Sequence, residues 1–166
     1  METIFSPCRK YRYTLWRDWR CGLFEGDGIS RDRGYVQFIG LNPSTADETL
    51  DDPTIRRCIG FAKTWGYGGL SMANLFAFRA TDPKVMKAEI EPVGAENDRH
   101  IVEMGKQAAL VVAAWGTHGT HLGRADRLRS LLKEAGIKLY HLGLTLEGHP
   151  KHPLYLRADT KPVEWV

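Results

Sequence analysis

The sequence is poor in the features that would place a chain outside a reducing compartment. Its three cysteines, Cys8, Cys21 and Cys58, are odd in number and not at metal-ligand spacing, which argues against a disulfide framework and a cysteine-based zinc module. No stretch approaches the ~20 apolar residues needed to span a bilayer. Met1–Lys10 lacks the apolar run of a secretory signal. There is no internal repeat, low-complexity tract or linker, so residues 1–166 are expected to form a single domain. Charge of one sign is also scarce: the net charge of +3 permits a nucleic-acid partner without demanding one. Together these absences predict a cytoplasmic, monomeric protein with no membrane segment.

The positive charge that is present is unevenly spread. Arg9, Lys10, Arg12, Arg17, Arg20, Arg31 and Arg33 gather near the N-terminus, interleaved with Tyr11, Tyr13, Trp16 and Trp19. Arg124, Arg127 and Arg129 form a second group. Basic residues among aromatics suit a phosphate-facing surface with stacking platforms, and equally a solvated face of an amphipathic hairpin.

Apolar periodicity organises the rest. Residues 12–19 alternate as a strand, Asp27-Gly28 supplies turn chemistry, and Tyr35–Gly40 reads as the next strand, giving an N-terminal β-hairpin. Asp52 before Pro53 is a helix cap followed by proline at the first helical position, with Ile55, Cys58, Ile59, Ala62 and Trp65 at helical spacing behind it. Strand-like runs at 70–78, 109–116 and 138–145 then alternate with helical patterns at 97–108 and 123–135. This alternation predicts an α/β fold, a three-layer α/β/α arrangement around a central, mostly parallel four-stranded sheet. Ligands of such sheets bind at the carboxyl ends of the strands. The loops that begin at Leu41, Arg79, Thr117 and Leu146 hold most of the polar groups with chemical potential.

The richest of these loops is "LNPSTADETLDD". Asp52 has a sufficient task as a cap and Asp51 favours the helix dipole, which leaves Asn42 and Asp47 as groups able to hold a water or face a developing positive charge. Asn74 sits inside the apolar run "SMANLFAF", where an amide must be satisfied or must read a ligand with its paired donor and acceptor. Two H-x-x-H pairs, His118/His121 and His149/His152, lie in Gly/Pro-rich loops whose spacing does not match a zinc site, so no metal is expected. A histidine held between Pro150 and Pro153 can instead donate to a developing anion.

Taken in order, "GLNPS", "MANLF", "VVAAWG" and "HPLYL" resemble the motifs of the uracil-DNA glycosylase superfamily, over about residues 36–156. The longer string with "DDPT", "NLFAFRATDP" and "GHPKHPLYL" is also similar to a bacterial and phage family known as a domain of unknown function. The glycosylase resemblance implies that Asn42 orients the attacking water, as in the mismatch-specific and thymine branch. It implies that Pro43 and Ser44 shape the base pocket, with a small residue at 44 leaving space for a 5-substituted pyrimidine. Asn74 would read the base edge, Phe76 would stack on the base, His152 would stabilise the leaving base, and Tyr155 or Leu156 would fill the gap left by a flipped nucleotide. The function it implies is a monofunctional DNA glycosylase acting on a damaged, mismatched or modified pyrimidine, in repair or in defence against phage DNA, with DNA as partner and no cofactor. The alternatives are a nucleotide- or nucleoside-processing hydrolase or transferase using the same pocket, a catalytically silent DNA-binding module, and a His-metal hydrolase.

Overall fold

The computed structural model describes residues 1–19 and 34–166. Seven strands form one mixed sheet: β1 (Ile4–Phe5), β2 (Arg12–Asp18), β3 (Tyr35–Gly40), β4 (Gly69–Asn74), β5 (Leu110–Ala113), β6 (Tyr140–His141) and β7 (Val163–Glu164), in spatial order β1-β2-β4-β3-β5-β6-β7. β3 pairs in parallel with β4 and β5, and β5 with β6. The β1–β2, β2–β4 and β6–β7 pairings are antiparallel. The protein is thus α/β, but half of its pairings are antiparallel and the sheet is wider than the four strands expected. The short β1 and β7 carried no periodicity signal, being two residues each.

The expected hairpin is corrected as well. Strand 12–18 does not pair with Tyr35–Gly40; it runs antiparallel to β4, with Leu15 opposite Met72, and to β1. The reason is burial: all six residues of β3 are buried, so it takes a central place with neighbours on both edges. β2 becomes exposed toward Asp18 and fits nearer the margin. The turn residues Asp27 and Gly28 lie outside the described residues.

Among the described residues, four α-helices cover the sheet: α1 (Pro53–Thr64), α2 (Pro83–Ala88), α3 (Asn97–Gln107) and α4 (Arg124–Glu134). Asp52 caps α1 as expected, its carboxylate accepting from the Ile55 amide at 2.9 Å. α1 lays Ile55, Cys58, Phe61 and Ala62 against Val36, Phe38, Leu70 and Met72 on one face. On the other face Met86, Ile101, Leu128 and Leu132 of α2, α3 and α4 pack on Ile39, Ala73, Val111 and Ala113. Alternate side chains of β3 and β4 therefore enter opposite cores, as the two-residue period of a strand requires. Strand 138–145 is shorter than expected because only Tyr140 and His141 join the ladder to β5, while Leu144 makes an isolated bridge to Pro150. α2 lies in what reads from sequence as a loop, started by the Asp82-Pro83 repeat of the Asp52-Pro53 signal. No described helix is long and apolar enough to cross a membrane.

One buried amide ties the helical layer to the end of β4. Asn97, fully buried, donates from Nδ2 to the carbonyls of Asn74 at 2.9 Å and Leu75 at 3.1 Å. Arg124 adds a bond from Nε to the Leu75 carbonyl at 2.8 Å. Replacing Asn97 by alanine strands these acceptors in the core, so urea denaturation should show a loss of about 1–3 kcal/mol; an unchanged midpoint would show that Arg124 suffices.

Candidate functional site

Beyond their strand ends, β3 and β4 stay zipped together. The Leu75 amide donates to the Gly40 carbonyl, Phe76 to Leu41 and Ala80 to Pro43, at 2.9–3.0 Å. On the far side the Gly116 amide donates to the Pro150 carbonyl at 3.0 Å, joining the loop after β5 to the one that carries His152. These loops surround a cavity of about 400 Å³ lined among others by Arg12, Asn42, Ser44, Asp52, Asn74 and His152. Four of the residues singled out from sequence therefore converge: Asn42, Ser44, Asn74 and His152. They do so at the carboxyl edge of the parallel strands, where a ligand is expected.

Hydrogen bonding fixes what each presents. Asn42 spends its amide protons on the carbonyls of Ala80, at 2.7 Å, and Pro43, at 3.1 Å. Its Oδ1 is left as an acceptor. His152 accepts the Leu154 amide at Nδ1, at 3.3 Å, which sets the neutral tautomer with a proton on Nε2. Burial pushes the His152 imidazole below its ordinary value, and the negative charge of Asp52 opposes that more weakly. Asn74 is buried, and its Oδ1 accepts from Arg12 Nη2 at 3.4 Å. A Cβ on Gly40 would stand 2.8 Å from Asn74 Nδ2, so glycine is what admits the amide here.

The remaining predicted residues lie elsewhere. Asp47 is half-buried and outside the cavity, and its Oδ1 accepts from the Thr49 amide, the Thr49 hydroxyl and the Leu50 amide. It builds a turn. Pro43 is buried beneath the loop, and its carbonyl takes the Ala80 amide. Phe76 is fully buried in the second core, 5.5 Å from the His121 ring, and stacks on nothing in the cavity; Trp115 is the aromatic that lines it. Leu156 packs against the first core, whereas Tyr155 is 86% exposed beside His152. Of the two wedge candidates only Tyr155 projects.

Three residues of the cavity were missed. Asp52 has a double position: one oxygen caps α1 while the side chain faces the cavity with Thr54. A sufficient structural role had hidden it. Arg12 was counted with the surface cations, but it is 2% exposed at the cavity floor, and burial pushes its guanidinium down to about 10. His118 lines the cavity as well, its Nδ1 3.1 Å from the Lys87 ammonium. Its position after the Trp-Gly strand end was the available signal.

Among the described residues of the N-terminal basic group, Arg17 and the rings of Tyr13, Trp16 and Trp19 are engaged within the protein. Arg17 is wrapped by the 47–51 loop, pairing with Asp51 at 2.8 Å and donating to the carbonyls of Asp47, Glu48 and Leu50. Tyr13 stacks on His100, Trp16 meets Tyr35 edge-on, and Trp19 donates to the Tyr67 carbonyl. Arg20, Arg31 and Arg33 lie outside the described residues. Among the described residues no group of three or more His, Cys, Asp or Glu is placed to hold a metal ion.

His152 shares its lowered basicity with His100 and His141, in each case chiefly through burial. The unfolded chain titrates these rings near 6.5, while the folded chain resists protonation to lower pH. Between those values the unfolded state binds more protons, so stability is full above pH 6.5 and falls as pH is lowered through it. Urea midpoints measured from pH 8 to pH 5 should decline toward acid, and His152→Gln should make the decline shallower; an unchanged slope would remove His152 from the titrating set.

A family model described as a protein of unknown function (DUF1643) matches residues 12–154. No curated protein and no solved structure matches the chain. The matched span begins at the buried Arg12, ends just beyond His152, and takes in every cavity residue named above. The chain belongs to the DUF1643 family.

Proposed function

We propose that the protein is an N-glycosidase that removes a pyrimidine base from DNA, leaving an abasic site. The observation that carries this reading is the polarity of the cavity: an acceptor on Asn42, a carboxylate on Asp52, and donors on Asn74 and His152, all lining one cleft. N-glycosidic cleavage needs that distribution. The sugar passes through an oxocarbenium-like state, the base departs with negative charge, and a water must be held on the sugar side.

In this reading the target nucleotide leaves the stack, at a cost of a few kcal/mol, and the base enters the cavity. Asn42 Oδ1 orients the water, and the Asp52 oxygen not used in capping takes its proton as the new C–O bond forms at the sugar C1′. The C1′–N bond breaks, and its electron pair leaves with the base. His152 Nε2–H and Asn74 Nδ2 hold the resulting anion. Tyr155, exposed next to His152, would occupy the vacated place in the duplex. Exposed Lys84 and Lys87 on α2 and Lys151 beside His152 would meet phosphates. The ordered motifs that resemble uracil-DNA glycosylases support the same assignment, as does the small Ser44, which leaves space beside a 5-substituted base.

A second reading, hydrolysis or transfer on a free nucleotide or nucleoside, is favoured by one observation: Arg12 and Arg17 of the N-terminal group turn inward and bond within the protein. Salt separates the two, since duplex binding weakens steeply with ionic strength.

Duplexes containing uracil, mismatched thymine or 5-substituted pyrimidines, incubated with the protein and then treated with alkali, should be cut at the target base. Asn42→Ala should slow this by roughly 10²–10³. Asp52→Asn should slow it by at least about 10² while leaving thermal stability nearly unchanged, because asparagine caps a helix as well as aspartate does. Intact duplexes together with altered free nucleotides would favour the second reading, and full activity in Asp52→Asn would return Asp52 to a purely structural role.

A further inference from the structure

Arg12 belongs to none of the motifs that suggested the site, yet it sits under them. The one other arginine buried among the described residues, Arg124, pairs with Asp98. Arg12 meets no carboxylate within ion-pair distance among the described residues. Its Nη1 donates to the Ala46 carbonyl at 2.9 Å, its Nη2 to Asn74 Oδ1 at 3.4 Å, and its buried Nε has no partner. The charges of Asp52 and, more weakly, Asp47 act on it from a distance, but a buried charge without a direct ion pair is poorly compensated. Here it borders a cavity.

The chemistry of the contact decides the orientation of Asn74. A guanidinium has five donors and no acceptor, so the amide must turn its oxygen toward Arg12. Asn74 Nδ2, without a hydrogen-bond partner among the described residues, is then the group offered to a ligand. His152 offers Nε2–H to the same space. The inner part of the cavity therefore has donors above a positive charge that makes no direct ion pair, while Asp52, the carboxylate lining the cavity among the described residues, sits at the start of α1 and offsets that charge only in part.

We infer that Arg12 is a positioning residue of this site: it locks the Asn74 amide with Nδ2 toward the ligand and places a positive charge behind it, so that the atom bound there is an acceptor able to take negative charge and not an amine. The inference rests on the base-binding reading of the cavity. It assigns the substrate edge at Asn74 as a carbonyl, and it makes the selectivity of Asn74 depend on a residue 62 positions away in sequence.

The test is equilibrium binding of uracil and of cytosine, as free bases, to the full chain and to Arg12→Gln and Arg12→Lys. The unaltered protein should bind uracil roughly tenfold to a hundredfold more tightly, because the amine of cytosine would face donors only. Arg12→Gln should bring the ratio to within about threefold of unity, since a glutamine can accept as well as donate and frees the Asn74 amide to turn. Arg12→Lys, which can only donate, should keep most of the preference. If Arg12→Gln does not fold, Asn74→Asp carries the test: its carboxylate removes the donor and neutralises Arg12, and the preference for uracil should vanish. A ratio unchanged in a folded Arg12→Gln, or a preference for cytosine in the unaltered protein, overturns the inference. Failure of both bases to bind overturns it together with the base-pocket reading. A preserved uracil preference without cleavage of any oligonucleotide overturns the glycosidase reading alone.

Discussion

The organising constraint of this protein is that β3 has no free side. Both of its faces are buried in cores and both of its edges are paired in parallel. Backbone polar groups enclosed in this way must be bonded throughout, and they are, from Tyr35 to the zipped loop beyond Gly40. Anything chemical that β3 offers must therefore come off its carboxyl end. Asn42 and Ser44 are the first polar side chains past that end, and β4 and β5 deliver Asn74 and Trp115-Gly116 to the same edge by the same logic.

Much of this was legible in the sequence. The Asp52-Pro53 cap, the apolar stripe of α1 and the buried runs of β4 and β5 announce themselves through short-range chemistry, and strand ends then place the site. What sequence could not supply was partner choice. A strand pattern at 12–18 is the same whether its neighbour is β3 or β4; burial on both sides of β3 settles it only in three dimensions. The two-residue β1 and β7, and the shortening of the 138–145 run to Tyr140–His141, were invisible for a related reason, since pairing defines them more than composition does.

The site shows the same division. The crowded acidic loop looked like one functional cluster and is three separate devices: Asp47 builds a turn, Asp51 answers Arg17, and Asp52 caps a helix while facing the cavity. One-residue, one-role reasoning put Asp47 ahead of Asp52, and the geometry reverses their places. Arg12 was misread for the opposite reason. An arginine beside lysine and aromatics suggests a surface, and nothing local records that this one points inward.

The grip of Arg17 on the 47–51 loop has a consequence for how the molecule is assembled. The arginine rides on β2, and the sheet neighbour of β2 on its inner side is β4, some fifty residues further along the chain. The loop can be clasped only once β4 has taken its place between β2 and β3. The edge that carries the cavity thus takes its full shape only with the sheet around it in place. A nascent or partly unfolded chain would hold every functional residue and still lack the geometry, so that competence of the site reports completion of the fold.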